Sequence, residues 1–342
     1  MKRMLGFAIL GLMLLIQACA AIRLTPIAPA PTAAPAATFA AKPKVLHIEI
    51  PEDADLTDLP RLMAADTLKE QGYTIEPVSF ADTALTIAAL QQGALDITNL
   101  SNVLSWTAMQ QGLLAVALMD DAAELRLVAV TPNIKQCSDL NGKSVAMNSL
   151  SGTPFAMLNV YIERHCPGTK PNLLVVQSAN ARLAALKTNK LDAAVVDLVA
   201  FSQPAAPGET PLHQLMSFHE EYPNVKTIGT YTRRDFAKQY PETVKDYIRA
   251  ILQARRKIQD PQVFADELVK RFKMEPTHAR QTADLYLQKK IWDLNGGYTP
   301  EVIQETIDFF VKIGALKPGL QAKDISDLSY LNAVLDEIGR KE

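Results

Sequence analysis

A short run of small polar residues between Ser149 and Pro154 has the composition of a ligand-binding loop. Ser149, Ser151 and Thr153 offer hydroxyl groups, and Gly152 lets a ligand approach the backbone closely. Thr153-Pro154 predicts the start of a helix, because proline is favoured at the first helical position. The free N–H groups at such a helix end favour a carboxylate, a sulfonate or a polarised carbonyl. An ordinary helix cap is the alternative.

Other polar residues follow predicted strands. Ser101 and Asn102 stand between a strand and a helix, Asp82 and Thr83 occupy the loop after another strand, and Asp197 ends a third strand. In open α/β sheets, ligands bind beyond the carboxyl ends of the strands, so we predict that these five residues contact the ligand. The alternatives are a helix cap for Ser101 or Asn102 and for Asp82 or Thr83, and a surface carboxylate for Asp197.

The loop after the first strand of the body is acidic. It carries Glu52, Asp53, Asp55 and Asp58. Four carboxylates at the mouth of a site would repel an anion within about 8 to 10 Å. The loop therefore favours a neutral, zwitterionic or heteroaromatic ligand over a simple anion, unless it points away from the site.

The motifs of common enzyme classes are absent from the sequence. It contains no G-x-S-x-G elbow, no G-x-x-x-x-G-K-[ST] phosphate loop and no H-E-x-x-H zinc motif. We predict no catalytic residue and no cofactor. With five histidines and three cysteines, and with no further ligand spaced to join His165 and Cys166, we also predict no metal site.

Strands and helices must position these loops. Leu46, Ile48 and Ile50 alternate with polar residues, which is the period of a strand, and a helical pattern then runs to Gly72. The same alternation continues to about residue 196 and predicts an α/β fold with parallel strands. Beyond residue 240 the pattern is helical, with helices expected at about 277–292, 300–313 and 328–338.

Two segments of the body resemble each other. Ala88-Ala89-Leu90 with Leu95-Asp96 matches Ala184-Ala185-Leu186 with Leu191-Asp192. In both, a helix ends at a residue suited to left-handed backbone geometry, Gly93 or Asn189, and a strand follows. The repeat predicts two lobes of similar construction.

The amino terminus predicts export. Lys2 and Arg3 precede an apolar run that is too short to span a bilayer, and the run ends in Ile16-Gln17-Ala18-Cys19. This ending resembles the lipobox of bacterial lipoproteins, which implies cleavage after residue 18 and lipidation of Cys19. An ordinary secretory signal is the alternative. Residues 19–44 are rich in alanine and proline and predict an extended tether.

Export would also determine the redox environment of the other two cysteines. Cys137 and Cys166 would reach an oxidising compartment, where a disulfide between them can form. Two free, buried thiols are the alternative. The chain has 342 residues and a formal net charge of -2, which suits about two domains and gives no electrostatic case for binding nucleic acid.

Several segments together resemble type II substrate-binding proteins of ABC transporters. Ser138-Asp139-Leu140-Asn141-Gly142-Lys143-Ser144-Val145-Ala146 is similar to the segment that opens the second lobe of that family, and Arg234-Asp235-Phe236 is similar to the segment that re-enters the first. The nearest branch comprises the nitrate, sulfonate and taurine proteins and the carriers of thiamine pyrimidine precursors.

This resemblance implies a two-lobed clamp that closes on a ligand and docks on a membrane permease. It places a signal peptide at 1–18, the tether at 19–44, lobe one at 45–130, lobe two at 131–227, and a return to lobe one with a helical tail packed on it at 228–342. It further implies a lipid-anchored monomer facing the periplasm or the cell exterior. An enzyme on the same fold, similar to those of the menaquinone pathway, and a lipoprotein adaptor without a transport role are the alternatives.

Overall fold

The computed structural model describes residues 42–43, 45–51, 54–80, 83–150, 153–202 and 206–342. The predicted signal peptide, Cys19 and the predicted tether apart from Lys42 and Pro43 lie outside these ranges. In the described part of the chain, no helix is long and apolar enough to cross a membrane.

The first sheet takes its strands from two separate parts of the chain. In spatial order they are β2 (Thr74–Val78), β1 (Val45–Glu49), β3 (Ile97–Ser101), β10 (Ile228–Arg233) and β4 (Ala115–Asp120). β1 is parallel to both of its neighbours, whereas β10 runs antiparallel between β3 and β4. Leu46 and Ile48 are the buried residues of β1, as their alternation with polar residues predicts.

The second sheet has the same plan. Its order is β7 (Asn172–Val175), β6 (Ser144–Met147), β8 (Ala193–Asp197), β5 (Arg126–Val130) and β9 (His213–Ser217). β6 is parallel to β7 and β8, and β5 runs antiparallel between β8 and β9. The α/β class predicted from the sequence is therefore confirmed.

The repeated sequence pattern corresponds to a repeated local structure. Gly93 and Asn189 both have left-handed backbone geometry, with φ of 79° and 54°. Just beyond them, Asp96 accepts a hydrogen bond from the N–H of His47, and Asp192 accepts one from the N–H of Ser144, each at 2.9 Å. Asp96 thus ties the start of β3 to β1, and Asp192 ties the start of β8 to β6.

The helices form two groups. Those before β10 connect the strands, and they are α1 (Leu59–Glu70), α2 (Thr83–Gln92), α3 (Asn102–Gln110), α4 (Thr153–His165), α5 (Ala179–Lys187), α6 (Leu198–Phe201) and α7 (Phe218–Glu221). Those after β10 form the helical tail, namely α8 (Arg234–Gln239), α9 (Pro241–Lys257), α10 (Pro261–Phe272), α11 (Pro276–Gln288), α12 (Pro300–Lys312), α13 (Ala322–Ile325) and α14 (Ser329–Ile338).

The helical tail contacts both sheets. α9 and α14 share an apolar cluster with β1 of the first sheet. α10 and α11 share another with the second sheet, in which Phe264 and Tyr286 lie with Leu127 and Val196. The tail thus does more than cover lobe one, the position that the sequence predicts for it.

Several elements and one boundary differ from the sequence-based expectation. β4, β9 and α10 are among the elements that the sequence analysis does not predict. The predicted first lobe extends to residue 130, whereas β5 pairs with β8 and β9 in the second sheet, so the chain changes sheets within residues 121–125. The apolar sequence of β5 suits either sheet, and only its pairing assigns it to one.

A disulfide joins Cys137 to Cys166. Cys137 begins a 3-10 turn, Cys137–Leu140, and Cys166 follows the last residue of α4. Both cysteines are buried in the apolar cluster that also contains Met157 and Leu158 of α4. The bond therefore fastens the end of α4 to the segment that precedes β6.

Candidate ligand-binding cleft

The two sheets present their carboxyl edges to each other. Residues 121–125 connect the end of β4 to the start of β5, and residues 218–227 connect the end of β9 to the start of β10. Each crossing joins the edge at which the parallel strands of one sheet end to the corresponding edge of the other. Because the first crossing spans at most about 20 Å when extended, the two edges lie close together. The space between them is the candidate cleft.

Buried polar contacts hold the two crossings side by side. Lys226 of the second crossing forms an ion pair of 3.3 Å with Asp120 at the start of the first. Arg255 of α9 donates to the carbonyl oxygens of Asp120, at 2.7 Å, and Asp121, at 2.5 Å. Asp120 is 2% exposed, and burial raises the pKa of its carboxyl group to about 6, although Lys226 and Arg255 oppose this rise.

Asn102 also bonds to residues of this buried polar network. Its carboxamide nitrogen donates to the carbonyl oxygen of Lys226 at 2.9 Å, and its carboxamide oxygen accepts from the hydroxyls of Tyr231, at 2.6 Å, and Tyr298, at 3.1 Å. The side chain has no exposed surface. The structure does not support the prediction that Asn102 contacts ligand, because the polar atoms of this buried side chain bond to Lys226, Tyr231 and Tyr298.

The end of β1 is polar, and its groups contact one another. The carboxylate of Glu49 accepts from the hydroxyl of Thr98 and, at 3.3 Å, from the N–H of Asn99. Arg61 donates to the carbonyl oxygen of Glu49 at 3.1 Å and pairs with Asp58. Burial raises the pKa of Asp58 against the effect of Arg61. These contacts connect the end of β1 to β3 and to α1.

Two of the predicted residues on the side of the first sheet lie at its carboxyl edge. Thr83 is the first residue of α2, and Ser101 is the last residue of β3, where its side chain makes no cap hydrogen bond. Asp82 lies outside the described residues. Of the four carboxylates in the acidic loop, Asp55 and Asp58 are described, and only Asp55 is exposed.

On the side of the second sheet, Thr153 opens α4 and Ser149 precedes it, so both lie beyond the end of β6. Ser151 and Gly152 lie outside the described residues. The two halves of the cleft are thus built alike, since in each sheet a polar loop and the first turn of a helix follow the ends of parallel strands.

One end of the cleft is acidic. Asp197 is exposed at the end of β8, and among the described residues none donates a hydrogen bond to its carboxylate. Desolvation by the surrounding protein raises the pKa of Asp197, and the negative charges of Asp55 and Glu124 raise it further, against Arg126. Asp55 follows β1 and Asp197 ends β8, so the two carboxylates approach from opposite sides of the cleft.

A phenol completes this acidic end. Tyr286 of α11 is 2% exposed, and within the described chain its hydroxyl has no hydrogen-bond partner. Burial raises the pKa of this phenol, and the charges of Asp55 and Asp197 raise it further.

A second feature beside the cleft is a cavity with mainly apolar walls. It has a volume of about 500 Å³ and lies between α3, α4 and the end of α12. Its walls include Val103, Leu150, Thr153, Phe155 and Ile313. Thr153 is the predicted site residue that this cavity contains. Over the described ranges, no group of three or more histidine, cysteine, aspartate or glutamate residues is arranged to hold a metal ion.

Sequence reasoning missed Tyr286 and the apolar wall. Tyr286 lies in the helical tail, far along the chain from the strands, and no local pattern links it to Asp55 or Asp197. Leu150 stands within the predicted loop, but its exposed position becomes apparent only in the structure. The leucine within this serine-rich loop is the sequence signal that could have indicated an apolar wall.

Comparison with known proteins identifies a matching family and proteins of similar sequence and fold. A family model described as NMT1/THI5 like matches residues 61–262. The taurine-binding periplasmic protein of Escherichia coli (strain K12) is 28% identical over 194 residues. That alignment covers 55% of this chain and 58% of the relative, so it spans little more than half of the relative's length.

Solved structures of similar fold include two periplasmic binding proteins. The aliphatic sulphonate binding protein of Escherichia coli has a TM-score of 0.63 at 17% identity, over 84% of this chain and 92% of its own. The nitrate-binding protein of Synechocystis PCC 6803 has a TM-score of 0.62 at 14% identity, over 86% and 89%. At such identities the likeness shows the fold, and it confirms the predicted periplasmic-binding-protein clamp. The relatives are named as binding proteins and not as enzymes.

Proposed function

This chain belongs to the NMT1/THI5-like family, and we propose that it is a solute-binding protein that delivers a small organic solute to the permease of an ABC import system. The observation that carries this proposal is the cleft between two facing carboxyl edges, between which the chain crosses at residues 121–125 and 218–227. Such a connection permits hinge closure around a ligand. The names of the relatives, which are binding proteins for taurine, sulphonates and nitrate, support the same role.

The proposal includes export and a lipid anchor at Cys19. The positive residues, the short apolar run and the cysteine that follows Ala18 support it. The alanine- and proline-rich segment up to Lys44 would then tether a monomeric clamp to the membrane, facing the periplasm or the cell exterior, and would raise its effective concentration near the permease.

The ligand in this proposal is neutral, zwitterionic or heteroaromatic. The exposed carboxylates of Asp55 and Asp197 at one end of the cleft disfavour a simple anion. Thr153, at the start of α4, offers a hydroxyl and a helix N-terminus to a carboxylate or sulfonate that is balanced by a positive group.

A thermal-shift screen of the purified protein tests ligand binding. The compounds are taurine, alkanesulfonates, nitrate, pyrimidines, flavins, amino acids and polyamines. A ligand at 100 times its dissociation constant stabilises the folded protein by about 2.7 kcal/mol. Thr153→Ala should weaken binding of the compound that is found, whereas Thr188→Ala, at the end of α5 and far from the cleft edge, should not. A protein that no compound stabilises contradicts the proposal and favours an adaptor.

The anchor is tested separately. Expression of the full chain with Cys19→Ala should release the protein from the membrane fraction and abolish incorporation of labelled fatty acid. If the variant stays membrane-bound and lipidated, the proposed anchor is wrong, whatever the ligand screen gives. Turnover of a compound in the screen would instead favour an enzyme on the same fold.

A further inference from the structure

A second cavity lies beside the two crossings between the sheets. It has a volume of about 680 Å³, which is within the range of small-molecule sites. Its wall includes Asp120 at the start of the first crossing, His219 and Lys226 of the second crossing, and Trp292 and Tyr298 of the segment between α11 and α12. Three separate parts of the chain therefore meet around one space.

This cavity is distinct from the loops of the candidate cleft. It lies where β4 ends and just beyond the end of β9, and each of these is an outer strand of its sheet. The predicted ligand-binding residues follow or end β2, β3, β6 and β8 instead. None of those that the structure describes lines the cavity, and they are Thr83, Ser101, Asn102, Ser149, Thr153 and Asp197. A ligand held here would therefore contact different residues from a ligand held by those loops.

Two buried polar atoms in the wall of this cavity have no hydrogen-bond partner among the described residues. They are Oδ1 of Asp120 and Nε1 of Trp292, whose residues are 2% and 4% exposed. Leaving such a buried atom unsatisfied costs about 1 to 3 kcal/mol, so each one needs a partner. The carboxylate oxygen accepts and the indole N–H donates, so a ligand that serves both must donate and accept.

The segment that carries Trp292 is fixed against the first crossing. The N–H of Asp120 donates to the carbonyl oxygen of Gly296, and the N–H of Ala123 donates to that of Ile291, each at 2.8 Å. Because these two contacts lie on either side of Trp292 in the sequence, they hold this part of the wall in place. A ligand would then bind without having to order the segment, which favours affinity.

The charges in the wall favour a neutral ligand. Lys226 forms its ion pair of 3.3 Å with Asp120, so the buried carboxylate and the ammonium group balance each other. Burial, together with the charge of Lys226, lowers the pKa of His219 below its usual 6.5, and its imidazole is therefore neutral at pH 7. An anion or a cation in the cavity would have to break the ion pair to gain a buried counter-charge.

The rest of the wall mixes polar and apolar groups. Gln259, Asn295 and Thr299 add amide and hydroxyl groups, whereas Leu287 and Val302 add apolar surface. A ligand that fits this wall carries hydrogen-bonding groups at several positions on a carbon skeleton. Each hydroxyl group can donate one hydrogen bond and accept two, so a molecule with several hydroxyls meets this requirement without a charge.

From these observations we infer that the cavity is a second binding site, for a neutral polyhydroxy compound such as a monosaccharide or a polyol. One hydroxyl of the ligand donates to Oδ1 of Asp120, and another accepts from Nε1 of Trp292. The first of these bonds is the stronger, because its acceptor is a carboxylate. The inference goes beyond the proposed function, since it concerns a different site and does not depend on the solute that the cleft carries.

Nuclear magnetic resonance of the ¹⁵N-labelled protein at pH 7 tests this site. The chain has two tryptophans, Trp106 and Trp292, so Trp292→Phe or Trp106→Phe assigns the two indole N–H signals. Glucose and sorbitol should shift the Trp292 signal saturably and leave the Trp106 signal in place, because Trp106 does not line the cavity. Gluconate, which is an anion, and 1,6-hexanediol, which keeps only the terminal hydroxyls, should bind at least about 10-fold more weakly.

Isothermal titration calorimetry with variants locates the bound glucose. Trp292→Phe removes the indole donor and should weaken binding about 2- to 10-fold, and Asp120→Asn removes the charged acceptor and should weaken it about 10-fold. Trp106→Phe is the same exchange outside the cavity, and Thr153→Ala changes the candidate cleft, so both should leave binding unchanged. Circular dichroism and thermal unfolding confirm that each variant is folded.

The outcomes separate this inference from the proposed function. If neither glucose nor sorbitol shifts the Trp292 signal, or if gluconate or 1,6-hexanediol binds as tightly as sorbitol, the inference is wrong. Glucose binding that Thr153→Ala weakens and Trp292→Phe does not also overturns it, because the sugar would then lie in the cleft, as the proposed function allows. A cleft screen without a ligand contradicts the proposed function and leaves a saturable Trp292 shift standing.

Discussion

Replacing Asp120 by asparagine should change how the free energy of unfolding depends on pH. Burial raises the pKa of this carboxyl group from 3.8 to about 6 in the folded protein. The folded protein therefore keeps a proton on Asp120 in a pH range where the unfolded chain has released it. A group of this kind contributes stability that is complete below its unfolded-state pKa and is lost as the pH rises through its folded-state pKa.

The size of the effect follows from the two pKa values. At about 1.4 kcal/mol per pH unit, the rise from 3.8 to about 6 corresponds to about 3 kcal/mol in all. Integration of the linkage relation places about 2.4 kcal/mol of this loss between pH 4 and pH 7. Asparagine does not titrate, so the stability of the native protein relative to Asp120→Asn should fall by about that amount over the interval.

Urea unfolding followed by the fluorescence of Trp106 and Trp292 gives the two stability curves. Both side chains are buried, so their emission reports on folding. Asp336→Asn on the exposed face of α14 is the control and should run parallel to the native protein. Lys226→Met should steepen the native pH dependence, since Lys226 holds the pKa of Asp120 down. Parallel curves for the native protein and Asp120→Asn would refute the reasoning.

Three further changes test the hinge and the disulfide. Asn102→Leu should destabilise the protein by about 3 to 5 kcal/mol in urea unfolding, because it leaves the buried hydroxyls of Tyr231 and Tyr298 without their acceptor; an effect below 1 kcal/mol would contradict the network. Gly229→Ala should cost about 1 to 3 kcal/mol, since its methyl group would overlap the Tyr298 hydroxyl, and a neutral result would show that the hinge can relax. Replacing both bonded cysteines by serine should cost about 3.5 kcal/mol for their sequence separation of 29, and reduction of the native protein should reproduce that loss.

Helix ends that are marked by proline or glycine could be predicted from the local sequence. The starts of α4 and α12 follow from proline at the first turn, and the end of α2 follows from Gly93. The repeat between residues 88–96 and 184–192 predicted two similar halves, and the structure supplies its reason. Asp96 fixes β3 to β1 and Asp192 fixes β8 to β6, so the two halves need the same residue at the same place.

Elements whose structure depends on pairing with distant parts of the chain could not be predicted from the local sequence. β9 is a half-exposed edge strand that begins with His213 and Gln214, and only its pairing with β5 makes it a strand. The acidic end of the cleft is a similar case, because Asp55, Asp197 and Tyr286 come from a loop, a strand end and a tail helix. Their types could be read from the sequence, but their convergence depends on the packing of α11 against the second sheet.

The helical tail also restricts how the cleft can close. Tyr222 of the second crossing packs on Phe309 of α12, with ring centroids 5.3 Å apart, and its hydroxyl donates to the carbonyl oxygen of Met157 in α4 at 2.8 Å. Tyr222 is thus held by the tail on one side and by the second sheet's helix on the other. Thr306 of α12 adds hydrogen bonds to the backbone of Asn224 and Lys226. These contacts fix the second crossing to both halves, so the closure that the proposed function requires would pivot close to Tyr222.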